Sequence, residues 1–150
     1  MDRRTSPERR QTPRGGRRDG DHAGRAVVLV VDDHADSREL VAAVLEELGT
    51  AIVEAANGRE ALTRAIDLPT PDLVLIDLSL PDCHGTDVVR KLKGDERTAH
   101  IPVVALSALV MAADKARAAE SGCVEFIEKP VRPDHVVSVV RRLLDRADAL

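Results

Sequence analysis

LVVDDH, Leu29 to His34, runs three apolar residues straight into two adjacent acids. LVLIDLSLP, Leu73 to Pro81, repeats the device: an apolar run ends in Asp77. A β-branched run such as AVVLVV, residues 26–31, reads as a strand buried on both faces, as in the middle of a parallel sheet. Carboxylates at the ends of such strands need a reason, and the rest of the chain supplies the frame for it.

Working outward, strand and helix patterns alternate. After the first strand, Leu40, Val44 and Leu48 recur at helical spacing with Val41 and Leu45 beside them, and Gly49 stands where a helix C-terminus wants glycine. AIVEA (51–55) is a second short strand, and Asn57-Gly58 turns into a helix around 59–66. DLVLI (72–76) is the third strand, and a loop with Pro81 and Gly85 leads to a helix carrying Val88, Val89 and Leu92. IPVVALS (101–107) is the fourth strand, an Ala-rich helix over 111–120 ends at Gly122, and CVEFIE (123–128) is the fifth strand. Pro133 opens a last helix with Val136, Val137, Val140, Leu143 and Leu144.

Five strand–helix units imply an α/β fold, a doubly wound five-stranded parallel sheet with helices on both faces. Right-handed crossovers bring every strand C-terminus to one edge, where ligands of open α/β sheets bind. Asp32, Asp33, Asp77, Ser107 and Lys129 all fall on that edge. Two like charges ~4 Å apart cost about 4 kcal/mol at an effective dielectric of ~20. Three bare carboxylates should therefore raise their pKa values or loosen their loops, unless a hard cation such as Mg²⁺ joins them. Any one acid alone reads more simply as a helix N-cap. Together with a lysine and a hydroxyl, they form the parts list for phosphoryl transfer to a carboxylate.

Composition sets the outer limits. The 150 residues suit one domain, 1–25 being a tail and 26–150 the folded unit. Residues 1–25 hold eight Arg against four acids, net +4, and lack bulky apolar residues beyond Met1, which implies a disordered tail. Residues 26–150 hold 14 Lys+Arg against 22 acids, net −8, so the folded part suits cations better than nucleic acid. One Phe and no Tyr or Trp mean an aliphatic core and no stacking platform for bases. No apolar run is long enough to span a membrane, and Cys83 and Cys123 form no CxxC, which fits free thiols in a reducing cytoplasm.

The chain resembles the receiver domain of two-component response regulators, the chemotaxis-regulator-like fold. The resemblance rests on VVDD (30–33), IDLSLPDCHG (76–85), VVALSA (103–108) and FIEKP (126–130), and covers about residues 26–148. It implies a flavodoxin-like strand order 2-1-3-4-5 and a set of roles. Asp77 would be the phosphoacceptor. Asp32 and Asp33 would be the metal-site acids, joined by Asp77 and the backbone carbonyl of Ser79, with Mg²⁺ as cofactor. Ser107 would be the switch hydroxyl, Ala108 the small residue leaving room for the phosphoryl group, Lys129 the partner of the acceptor and Phe126 the switch aromatic. Lys129-Pro130 would be a cis peptide.

The implied partners are a sensor histidine kinase or phosphotransfer protein, with no direct DNA binding. Output would be a protein contact or a phosphorelay from a stand-alone receiver, with a possible homodimer through the 111–150 face. Leu109 and Ser79 occupy positions that tune dephosphorylation. Two rival readings stay open. An aspartate-nucleophile phosphohydrolase of the haloacid-dehalogenase type would want an acid two residues past the nucleophile, where Asp77 has Ser79 and Asp32 has His34. A degenerate receiver would be a constitutive binding module. His34, Cys83 and His84 fit no standard soft-metal spacing and read as ordinary loop residues.

Overall fold

The computed structural model describes residues 25–108 and 111–149, so the expected tail (apart from Arg25) and Leu109 lie outside the described residues. Five strands form one parallel sheet: β1 Val27–Val31, β2 Ala51–Ala55, β3 Leu73–Asp77, β4 Val103–Ser107 and β5 Glu125–Glu128. Their order is β2-β1-β3-β4-β5, as expected. The order reverses between β1 and β3, which pair in the register Val28↔Leu73 to Val31↔Ile76. The switch point of the sheet therefore lies between the ends that carry Asp32 and Asp77.

The continuous apolar runs follow from burial on two faces. Val28 and Val30 of β1 face one core layer, with Leu73, Leu75, Val104, Leu106 and Ile127. That layer is closed by α1 (Ala35–Glu46) and α5 (Pro133–Ala149), through Val41, Leu45, Val136, Val139, Val140 and Leu143. Leu29 and Val31 point the other way, onto Ala61 and Ala65 of α2 (Gly58–Ile66) and Val88, Val89 and Leu92 of α3 (Gly85–Lys93). Burying each such aliphatic side chain is worth about 1.5–3 kcal/mol, so alternation along a single strand holds helices on both sides. The remaining helix, α4 (Ala112–Ser121), brings only Ala118 to a small cluster with Leu78 and Ala105.

Several boundaries differ from the sequence expectation. In α1 the buried face is Val41, Ala42 and Leu45, while Leu40 is 54% exposed. Two overlapping i, i+4 series were available there, and the sheet takes the one starting at Val41, with Val44 and Leu48 only partly buried. β3 starts at Leu73 because Asp72 is used as a brace: its carboxylate accepts the Val27 N–H at 2.8 Å. β4 starts at Val103 because Pro102 has no N–H to give and the Ile101 N–H bonds back to the Thr98 carbonyl at 3.0 Å. β5 is shorter than CVEFIE suggested, Glu125–Glu128.

Candidate functional site

The C-terminal edge of the sheet gathers the acids. Asp32 follows β1, its N–H held by the Ala55 carbonyl at 3.1 Å and its side chain fully buried. Asp77 is the last residue of β3, paired in register with Leu106, and is buried at 4% exposure. It belongs to the strand rather than to the loop after it. Lys129 follows β5, anchored by its N–H to the Ser107 carbonyl at 2.8 Å. Its ammonium donates to Asp77 Oδ2 at 2.7 Å and to Asp32 Oδ2 at 3.0 Å. The other carboxylate oxygens accept main-chain donors: Asp32 Oδ1 from the His34 N–H at 2.9 Å, Asp77 Oδ1 from the Ser79 N–H at 2.8 Å.

The electrostatic consequence departs from the expectation of raised carboxyl pKa values. Burial pushes Asp32 up, but the His34 N–H, the Lys129 ammonium and the Ser37 hydroxyl outweigh it and hold the carboxyl below its ordinary range. Burial likewise pushes Lys129 down, and the Asp77 and Asp32 carboxylates more than reverse it. The lysine thus takes up the repulsion that a cation was invoked to relieve. It links two of the three acids. Asp33 is exposed beside them.

Ser107 is buried at the end of β4, and Ala108 is exposed next to it. Lys129-Pro130 is cis, and Leu68-Pro69 is a second cis bond. Phe126 is half-buried against the cluster of Leu78, Ala105 and Ala118, with the Lys115 ammonium 5.8 Å from its ring centroid. Cys83 and Cys123 are free thiols.

The β3–α3 loop is built by Gly85, which the sequence places there, and by Asp82 and His84, to which the sequence gives no role. Gly85 donates to the Leu78 carbonyl at 2.7 Å, and a Cβ there would stand 2.7 Å from the Asp77 carbonyl oxygen. Asp82 accepts the N–H groups of Gly58 (2.8 Å) and Arg59 (3.0 Å), capping α2 from a loop 24 residues away. No local signal announces such a partner. His84 is the N-cap of α3, its Nδ1 accepting the Thr86 N–H at 3.2 Å. The signal there was readable, since His84-Gly85-Thr86 opens the helical pattern.

One donor atom each from Asp32, Asp33, His34 and Asp77 lie within 4.8 Å of one another. Magnesium–oxygen bonds of about 2.0–2.1 Å put opposite ligands roughly 4.2 Å apart, close to that spacing, and the donors are mainly the carboxylates that a hard cation takes. The residues fit a magnesium-type site. His34 is the member that sequence spacing did not place there.

The family described as the response regulator receiver domain matches residues 28–141. The chain belongs to that family. Receiver domains are the signalling switches of two-component systems. The receiver is 37% identical over 123 residues to the DNA-binding dual master transcriptional regulator RpaA of Synechocystis sp., covering 82% of this chain and 51% of that protein. It therefore spans about half the length of that relative. It is 33% identical over 120 residues to the polar-differentiation response regulator DivK of Brucella anthropi, covering 80% of this chain and 97% of that protein. The chemotaxis protein CheY4 of Vibrio cholerae superposes with a TM-score of 0.75 at 26% identity, covering 80% of the receiver and 99% of that chain. Among the described residues no helix is long and apolar enough to cross a membrane.

Proposed function

We propose that the receiver takes a phosphoryl group onto Asp77 from a phosphohistidine of a sensor histidine kinase or phosphotransfer protein, and signals through the repacking that follows. The observation that carries this is the Lys129 ammonium, 2.7 Å from Asp77 Oδ2 and 3.0 Å from Asp32 Oδ2, which fixes the acceptor carboxylate inside the acidic pocket. In the transfer, an Asp77 carboxylate oxygen forms the new bond to phosphorus as the phosphorus–nitrogen bond of the donor breaks. The electron pair of that bond stays on the donor nitrogen, and because the other ring nitrogen is already protonated the imidazole leaves as a neutral ring.

Asp32, Asp33, Asp77 and the Ser79 carbonyl would hold Mg²⁺, which when bound supplies positive charge beside the transferring oxygens. Lys129 stays against the modified side chain and offsets the roughly two negative charges added. The Ser107 hydroxyl donates to a phosphoryl oxygen, with Ala108 leaving the space open. Phe126 follows into the room released, so the surface of α4, β5 and α5 changes population between two packings. The output is a protein contact, a homodimer across the 111–150 face or an onward phosphorelay, without direct DNA contact by this domain. The receiver catalyses only its own modification and its reversal.

The phosphohydrolase reading lacks its second acid. Position 79 is a serine, whose N–H braces the Asp77 carboxylate. Incubation with acetyl phosphate and Mg²⁺, then peptide mass spectrometry, tests the proposal. One phosphoryl adduct is expected on Asp77, absent without Mg²⁺ and absent in Asp77→Asn. An adduct elsewhere, or steady turnover of phosphomonoesters, would reject it.

A further inference from the structure

His34 is the residue in the pocket whose chemistry the phosphoacceptor reading does not use. Its backbone serves the site, since the His34 N–H braces Asp32. Its side chain makes no capping bond to α1, although it occupies the N-cap position. Instead the ring leans back over the acids. Nδ1 stands 3.3 Å from Asp33 Oδ1 and 3.6 Å from Asp32 Oδ1, and a ring nitrogen of His34 falls within the same 4.8 Å set as Asp77. The ring is 74% exposed, so turning it onto a cation costs little buried surface.

A nitrogen donor changes what an oxygen pocket prefers. Mg²⁺ takes oxygen ligands and gives up water reluctantly, so an imidazole adds little for it. Late first-row dications take imidazole readily, and their affinity for mixed nitrogen–oxygen sites rises along the series from Mn²⁺ to Cu²⁺. Metal–nitrogen and metal–oxygen bonds in such sites are both about 2.0–2.2 Å, which puts opposite ligands up to about 4.4 Å apart, close to the spacing of these four atoms. We infer that His34 is a metal-specificity residue: its imidazole joins Asp32, Asp33 and Asp77 as a ligand for late first-row dications, represented by Co²⁺, while contributing nothing to Mg²⁺. This rests on the reading of the acidic pocket as the receiver's cation site.

Calorimetric titration of the full chain with Co²⁺ and separately with Mg²⁺ tests it, comparing wild type, His34→Ala and His34→Gln. Circular dichroism checks that each variant is folded. Both substitutions should weaken Co²⁺ by about tenfold or more, roughly the loss of one ligand, and change Mg²⁺ by less than about twofold. In wild type, proton NMR of the Co²⁺ complex should show strongly shifted imidazole signals that vanish in both variants. Equal changes for the two metals, or shifted signals that survive in His34→Ala, overturn the inference while leaving the cation site intact. Failure of wild type to bind either metal, with Asp77→Asn indistinguishable from it, overturns the inference together with the reading beneath it.

Discussion

At the scale of single residues, the pocket is a charge balance in which Lys129 is the pivot. Asp77→Asn removes one carboxylate from a crowded edge but leaves Lys129 paired with Asp32 at 3.0 Å. Stability should therefore stay within about 1 kcal/mol of wild type, or rise, while phosphorylation is lost. Urea titration checks this; a loss beyond about 3 kcal/mol would make Asp77 a structural residue instead. Lys129→Met is the reverse case. It strands Asp32 and Asp77 together, and should cost about 1–3 kcal/mol without added cation.

The pH profile carries the same signature. Lys129 has a raised pKa, so its contribution is full below the unfolded lysine value of about 10.4 and is lost as pH climbs through the higher folded value. Asp32 has a lowered pKa, so its contribution is full above the unfolded value of about 3.9 and is lost as pH falls through the lower folded one. Urea midpoints of Lys129→Met should lack the alkaline limb and show a weakened acid limb. A profile parallel to wild type would remove the lysine from the balance.

At the scale of elements, the β3–α3 connection decides how well Asp77 is aimed. A Gly85→Ala methyl would meet backbone at and just past the end of β3, the Asp77 oxygen and Leu78 Cα, both 2.7 Å away, and neither can swing aside. The substitution should cost about 1–3 kcal/mol and slow phosphorylation by acetyl phosphate, because α3 must back away from the end of β3. Unchanged stability and rate would mean that the loop has slack.

The N-cap of α3 adds a pH dependence. Burial, with Arg117 nearby, pushes His84 below the ordinary imidazole range, and its neutral Nδ1 accepts the Thr86 N–H. A lowered histidine pKa means stability that is full above about pH 6.5 and lost as pH falls through the folded value. His84→Asn keeps a capping side chain that does not titrate there. Its melting temperature should fall less than that of wild type between about pH 7 and pH 5.

These elements also mark where sequence stopped being informative. Strands buried on both faces announced themselves, because period and composition agree along every one. The face of α1 did not, because Leu40 and Val41 each begin a valid helical series. Asp82, which caps α2 across the loop, could not be read, because its partners are distant in sequence.

At the scale of the molecule, the sheet edge was legible for a topological reason: right-handed crossovers place every strand end together once the alternation is seen. What was not legible is how stability is distributed around it, and this bears on signalling. α3 anchors itself with Val88, Val89 and Leu92, whereas the buried residues of α4 are Ala118 and Ser121. At about 1.5–3 kcal/mol per buried Val or Leu, and much less for Ala, α4 is held far more weakly. Its neighbour Phe126 is only half-buried, and the Lys115 ammonium over the ring adds a contact worth ~0.5–1 kcal/mol at an exposed site. The proposed modification of Asp77, at about a few kcal/mol, would be enough to repack such a corner and leave the two aliphatic layers alone.

Hydrogen exchange should therefore show α4 amides exchanging faster than those of α3 and β1 in the unmodified receiver. Beryllofluoride with Mg²⁺, as a phosphoryl mimic, should change protection in α4 and β5 by about tenfold or more and in β1 and β3 by far less, since local openings there approach the global one. A uniform change across all five strands would point to global stabilisation by ligand, and would leave the α4–β5 corner without its signalling role.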